Sequence, residues 1–399
     1  MVRELAITAY LFAFRILFEI GKWFPQKNKT VAVASFGDNI SFTISSLRNL
    51  SNEEIYILKD SCCQYDFGNL EAKVIPFTLK HPIHFLKSIY HLATAKTILL
   101  DTYQGFLAST NFRSGTTCIQ LWHAAGALKR FGLEDPTNEL RSNRAMNRFK
   151  KVYSHFDYSV VGSEKMADSF MQSFGVSDQQ IIRTGIPRSD LLFNQKRRDQ
   201  VYNDIKKQFP SIRDRKIILY TPTFRNNSLK SYDLELDLHR MNQELSDDYV
   251  LFIKLHPAVS ASFNYELYED FIYDVSDYKN TNELLLITDL LISDYSSIPF
   301  EYAILERPMI FFAYDLEEYK IESGLIQDYE QEVPGPVVSS TYEIIQVIQE
   351  NTFDYEKIRR FNQAYNEYSQ GHSSNDLAMY LTGAEEKEFT NKNTPVKLN

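Results

Sequence analysis

Twelve short runs of β-branched and aromatic residues, each closed by loop-forming residues and most followed by a helical stretch, constrain this chain more than any other feature. Seven lie at 30–36, 55–58, 73–77, 97–101, 117–122, 158–162 and 181–184. Five more follow at 216–220, 249–254, 271–274, 290–293 and 309–313. Runs so short and so apolar suit strands covered on both faces, and their alternation with helices predicts mainly parallel sheets. At 399 residues the chain can build two cores. The expectation is an α/β protein of two doubly wound, Rossmann-like lobes facing across a cleft. No internal repeat is visible. The division expected is an amphipathic helix over 1–28, a first domain over 29–195, a second over 196–375 and a polar tail over 376–399.

Charge is unevenly shared. Residues 1–200 hold 25 Lys and Arg against 18 Asp and Glu, whereas 201–399 hold 18 against 34, so a net charge of −9 splits into +7 and −16. A basic half on an acidic protein points to one lobe facing an anionic surface or substrate, although uneven solubilising charge gives the same count. Residues 1–24 are apolar but are interrupted by Arg3, Glu4, Arg15, Glu19 and Lys22, which leaves no span of about 20 uninterrupted apolar residues to cross a bilayer. As a helix this stretch suits a membrane interface, with Trp23 and Phe24 at the headgroups, or packing on the first lobe. Arg141, Arg144, Arg148 and Lys151 recur at helical spacing, with Lys129 and Arg130 upstream, a pattern suited to anionic lipid or to a diphosphate. Cys62, Cys63 and Cys118 show no metal-ligand spacing and no framework for a disulfide, as expected of a reduced, cytosolic chain.

The chemistry-bearing residues stand just past the strand ends, where open α/β sheets bind ligands. His123 follows the run 117–122 and His256 follows 249–254; each is a candidate catalytic imidazole, or simply a turn residue. Thr221-Pro222-Thr223-Phe224-Arg225 offers hydroxyls, amides and a guanidinium for phosphate oxygens. Asp294, Ser296 and Ser297 precede a helix start at Ile298-Pro299-Phe300-Glu301, which suits either a phosphate or an ordinary N-cap. Gly185-Ile186-Pro187-Arg188-Ser189-Asp190 reads as a structural turn that can close a cleft floor, and Pro334-Gly335-Pro336 as a rigid loop bordering a nucleotide. A Walker loop, a Gly-x-Gly-x-x-Gly motif, zinc-type Cys or His clusters and a Gly-x-Ser-x-Gly elbow are all missing. The acidic second half also lacks the basic, aromatic platforms that nucleic acid would need.

Taken in order, Trp122-His123-Ala124-Ala125-Gly126 through Lys129, the turn at 185–190, Thr221 to Arg225, Leu255-His256-Pro257, Ser293-Asp294-Tyr295-Ser296-Ser297 and Tyr314-Asp315-Leu316 through Tyr319 resemble the CDP-glycerol glycerophosphotransferases of teichoic acid synthesis. The resemblance runs from about residue 30 to residue 375. Within that family the compact length, the N-terminal stretch and the run 121–135 look most like the glycerol-phosphate primases. Ala124-Ala125-Gly126 departs from the Gly-Thr-Pro that the family's polymerases commonly carry there.

The resemblance implies a GT-B-like fold with His123 and His256 catalytic. It also implies CDP-glycerol held by Pro222, Thr223, Arg225, Lys254, Asp294, Ser296, Ser297 and Glu301. Lys129, Arg130, Arg141, Arg144, Arg148 and Lys151 would face the acceptor and membrane. The implied activity is transfer of glycerol phosphate from CDP-glycerol to a lipid-linked disaccharide diphosphate acceptor, by a peripheral protein on the cytoplasmic side of the cell membrane, with no cofactor and no metal. A later-acting glycerol- or ribitol-phosphate transferase, a sugar-nucleotide glycosyltransferase and a non-enzymatic assembly factor are the competing readings.

Overall fold

The computed structural model describes residues 2–223, 225, 234–255, 268, 270–326 and 328–384. Every expected strand forms. The first sheet contains β1 (Lys29–Ala34), β2 (Glu54–Asp60), β3 (Lys73–Phe77), β4 (Thr97–Leu100), β5 (Thr117–Gln120), β6 (Tyr158–Val160) and β7 (Ile181–Ile182), in the order β3-β2-β1-β4-β5-β6-β7. The second contains β8 (Lys216–Tyr220), β9 (Tyr249–Ile253), β10 (Ile272–Asp274), β11 (Leu290–Ser293), β12 (Met309–Phe312) and β13 (Val337–Val338), in the order β10-β9-β8-β11-β12-β13. All the pairings are parallel. The strand β13 escaped the sequence reading because two residues at a sheet edge carry no periodicity.

Each sheet therefore winds outward both ways from its first strand, the doubly wound order, and reverses direction once. The reversal lies between β1 and β4 in the first sheet and between β8 and β11 in the second. Register carries these neighbours to a common edge, with Val33 opposite Leu100 and Tyr220 opposite Ile292. Ile217, Ile218, Leu219 and Tyr220 are all buried, as they must be in a strand with helices on both faces.

The chain divides into two compact units. Among the described residues the first holds 2–123, 132–190 and 368–384, and the second holds 124–131 and 191–367. Three of the expected boundaries shift. The N-terminal helix, Val2–Gly21, belongs to the first unit, with Phe14 stacked on Phe106 at 5.1 Å and Phe18 edge-on to Phe112. The short segment 124–131 belongs to the second unit. Residues 376–382, expected as the start of the tail, belong to the helix Ser373–Thr382, whose Leu377 and Ala378 are fully buried in the core made by β1, β2 and the helix Asp38–Leu50. Burial of those apolar side chains returns the chain to the first unit.

The turn at 185–190 holds that return in place, which confirms its structural role. Gly185 has φ of +85°, and a Cβ there would stand 2.4 Å from the Tyr368 carbonyl oxygen. The Ile186 amide donates to Ser369 Oγ at 3.0 Å. Asp190 accepts from the amides of Ser373 and Ser374 at 2.9 and 2.8 Å and so caps the last helix from a distant part of the chain. Asp190→Ala would leave these amides without that acceptor. It should lower stability by about 1–3 kcal/mol, read as a reduced urea midpoint at unchanged m-value.

Candidate active site

In the first unit, Asp101 directly follows β4 and is 1 % exposed. Its carboxylate accepts from three successive amides after β1: Ser35 at 2.9 Å, Phe36 at 2.9 Å and Gly37 at 2.7 Å. Gly37 has φ of +101° and meets Tyr65 where a Cβ would stand, so only glycine closes this turn. Burial raises the Asp101 pKa to about 6, while the three amides work against that shift.

The same residue positions His123. The Asp101 carbonyl oxygen lies 3.2 Å from His123 Nδ1. A carbonyl can only accept, so Nδ1 carries the proton in the neutral ring and Nε2 keeps a lone pair. Phe36 stacks on the imidazole at 4.2 Å. Burial pulls the His123 pKa down to about 4; the bond to Asp101 opposes this and the charge of Arg188 adds to it. The ring reaches its place through Trp122, whose φ of +56° is costly for a bulky residue, about 1–3 kcal/mol. Gln120 Oε1 accepts from the Trp122 amide at 2.8 Å and Asn39 Nδ2 donates to its carbonyl at 2.9 Å, which holds the strained residue. Asn39 Oδ1 in turn accepts from the Arg188 amide.

In the second unit the loops after β8 and β11 run side by side. Asp294, 2 % exposed, accepts from the Thr223 amide at 3.0 Å, from Thr223 Oγ1 at 2.6 Å and from Arg225 Nη1 at 3.1 Å. Arg225 forms a two-pronged pair with Asp315, Nε to Oδ2 at 2.6 Å and Nη2 to Oδ1 at 2.9 Å. Tyr295, Tyr314 and Tyr319 surround its guanidinium at 5.0, 5.4 and 4.8 Å. Burial pulls the Arg225 pKa down, but Asp315 and Asp294 more than reverse this, and the net shift is upward. Asp294 and Arg225 thus brace the two loops against each other. Lys254 is similarly engaged, donating to the carbonyls of Ser276 at 3.2 Å and Tyr278 at 2.7 Å.

Ser296 and Ser297 stand before the helix Ile298–Tyr302. Ser296 Oγ accepts from the Ile298 amide at 3.2 Å, while the Ser297 side chain makes no cap bond. Pro222 and Glu301 are buried beside these loops. Pro334-Gly335-Pro336 leads into the amino end of β13, and a Cβ on Gly335 would stand 2.1 Å from the Met309 carbonyl oxygen. It serves sheet packing at the edge opposite the strand carboxyl ends, a correction to the expectation that it borders a nucleotide. His256 lies outside the described residues.

The basic residues separate. Lys129, in the second unit, bonds to the Tyr319 hydroxyl and lies over that ring at 4.7 Å, while Arg130 is exposed. Arg148, on the helix Asn143–Tyr153, is paired two-pronged with Glu4 at 2.8 and 3.0 Å. An anion from another helix thus interrupts the expected row, and Arg141, Arg144 and Lys151 remain exposed. Asp101 was given no site role from the sequence, and Arg188, Asp315, Tyr295, Tyr314 and Tyr319 stood in the motifs quoted there without a role of their own. Asp101 had a signal, since it closes a central strand as Asp294 does.

Two Rossmann-like sheets, each with a loop cluster at its switch point, give the GT-B-like fold class. The family model for CDP-Glycerol:Poly(glycerophosphate) glycerophosphotransferase matches residues 26–382, and the chain belongs to this family. It is 36 % identical over 387 residues to the teichoic acid glycerol-phosphate primase of Bacillus subtilis (strain 168), covering 95 % of this chain and 98 % of that one. It is 35 % identical over 324 residues to the teichoic acid poly(ribitol-phosphate) polymerase of Bacillus spizizenii (strain ATCC 23059 / NRRL B-14472 / W23), covering 78 % of this chain and 52 % of that one. The solved structure of the wall teichoic acid polymerase TagF shares the fold, with a TM-score of 0.78 at 23 % identity over 97 % of this chain and 99 % of that one.

Two outcomes test the packing and the electrostatics. A Cβ on Gly126 would stand 2.3 Å from the ring of Phe300, which is fully buried and stacked on Phe361, so Gly126→Ala should cost about 1–3 kcal/mol, read as a lowered urea midpoint. His123 and His91 both hold pKa values near 4 against 6.5 for a free imidazole, so across this window the unfolded chain binds more protons. Their contribution is therefore present above about 6.5 and is lost as pH falls through about 4. Asp101, raised from 3.8, works oppositely, its contribution being lost as pH rises through about 6. His123→Asn keeps Asp101 and removes one imidazole, so the variant should lose less stability than the parent on acidification, measured by urea titration at each pH.

Proposed function

We propose that this glycerophosphotransferase moves glycerol phosphate from CDP-glycerol to the N-acetylmannosaminyl-N-acetylglucosaminyl-diphospho-undecaprenol acceptor and releases CMP, the priming step of wall teichoic acid. The observation that carries the mechanism is His123 with its Nδ1 proton fixed on the Asp101 carbonyl, which leaves Nε2 as a base. The acceptor hydroxyl oxygen bonds to the glycerol-bearing phosphorus as its proton passes to Nε2. The bond from that phosphorus to the bridging oxygen breaks, and CMP leaves with the electron pair. An anionic phosphate arriving near the ring would raise its low pKa toward the working range. The second unit holds the donor through Thr223 and the loop at Ser296 and Ser297, with Pro222, Glu301 and Lys254 alongside. Asp294 and Arg225 brace those loops. His256 is proposed for the diphosphate, with exchanged histidine roles as the alternative assignment.

Membrane contact is proposed for the N-terminal helix. Its inner stripe, including Phe14 and Phe18, is buried, whereas Leu5, Phe12, Ile16 and Ile20 are exposed on the opposite side and Trp23 is 84 % exposed. Among the described residues no helix is long and apolar enough to cross a membrane. Such a two-sided helix suits the interface on the cytoplasmic side. The single-addition reading is supported by 36 % identity over 387 residues to the glycerol-phosphate primase, against 35 % over 324 residues to the poly(ribitol-phosphate) polymerase.

Labelled CDP-glycerol supplied with the lipid-linked disaccharide should give one addition per acceptor, and metal-independent transfer should leave that rate unchanged in excess EDTA. Many additions would make the protein a polymerase, and none would remove the proposed reaction. His123→Ala should lower turnover by about 10²–10⁴-fold while folding normally, and near-parental turnover would remove the base assignment.

A further inference from the structure

A groove of about 610 Å³ in the first unit lies between the N-terminal helix and the basic helix Asn143–Tyr153. Its volume is typical of a small-molecule site. Ile7, Leu11, Tyr103, Ala145 and Phe149 give it an apolar lining, and Leu140 at its lip is 90 % exposed. Its charges are not balanced. Glu4, the one carboxylate lining it, is already held two-pronged by Arg148, which leaves Arg3 and Arg141 as surplus cations, Arg141 lying over Phe149 at 4.7 Å. None of these residues belongs to the His123 site or to the donor loops.

We propose that this groove binds a single isoprenoid chain bearing a diphosphate, with the chain against the apolar lining and the diphosphate on Arg3 and Arg141. The Glu4–Arg148 pair pins the two helices that form its walls. This rests on the reading above that the acceptor is lipid-linked, and adds where its lipid is recognised. Charge complementarity selects the occupant. Two surplus guanidiniums beside one apolar channel match one chain and a multiply charged head, whereas a bilayer phospholipid brings two chains and one phosphodiester charge.

The test uses the full-length protein and phosphatidylcholine vesicles doped either with undecaprenyl diphosphate or with phosphatidylglycerol at matched charge, read by co-sedimentation. Tighter binding to the prenyl diphosphate vesicles is expected. Arg141→Gln should weaken that binding by about fivefold, the loss of one cation, and Ala145→Trp, which fills the groove, should abolish the preference. Ala145→Trp, which leaves every charge in place, should bind phosphatidylglycerol vesicles as the parent does, and Arg141→Gln should weaken that binding less than it weakens binding to the prenyl diphosphate. If Ala145→Trp melts early, Arg141→Gln alone decides. Equal binding of the parent to both vesicles, a preference unchanged in the variants, or self-association in place of lipid binding overturns the proposal. Transfer from labelled CDP-glycerol to an acceptor with a short water-soluble tail is assayed in parallel. Its absence would sink the proposed reaction while leaving the vesicle result to stand for the groove.

Discussion

Each of the two sheets depends on one buried carboxylate at its point of reversal. A doubly wound sheet leaves its two central strands running to the same edge with connections departing to opposite faces, so their loops have no covalent reason to stay together. Asp101 and Asp294 supply that reason. Each follows the strand that resumes the sheet on the other side, is almost wholly buried, and accepts hydrogen bonds from the loop after the first strand. Charge-assisted bonds to backbone amides oppose the cost of burying a carboxylate, and at Asp101 three of them limit an upward pKa shift that burial still wins.

From this shared device the units diverge. In the first, the carbonyl of Asp101 fixes the His123 tautomer, and the carboxylate of the same residue fixes Phe36, which stacks on the ring. In the second, Asp294 is joined by Arg225, Asp315 and three tyrosines, which hold the guanidinium in one place. Asp294, Arg225 and Lys254, all expected at a phosphate, are thus already held in place by neighbouring groups. A rigid second layer is what a phosphoryl transfer site needs, because positioning supplies most of its catalysis.

Strand positions were legible because a strand covered on both faces needs an apolar run, and that requirement is local. Loop motifs were legible for the same reason: His123, Thr223 and Ser296 stand beside strand ends in the sequence as they do in space. Partners from distant segments were not. Arg148 reads as one of four aligned cations, and only the packing of the N-terminal helix brings Glu4 to it. Lys129 reads as part of the same basic group, yet its segment packs with Tyr319 in the other unit. The similar strand order of the two sheets also leaves no repeat in the sequence, because many apolar combinations fill such a core.

By itself the sequence determined the α/β class, the placing of twelve strands and the segments that carry chemistry, since hydrophobic periodicity and turn chemistry act over a few residues. Tertiary structure decided which charges are free and which are neutralised, which imidazole nitrogen holds a proton, and that residues 376–382 close the first unit rather than trail from it. Those outcomes depend on burial and on pairing between residues far apart in the chain, such as Lys129 and Tyr319, 190 positions apart. Such pairing is not encoded in any local pattern.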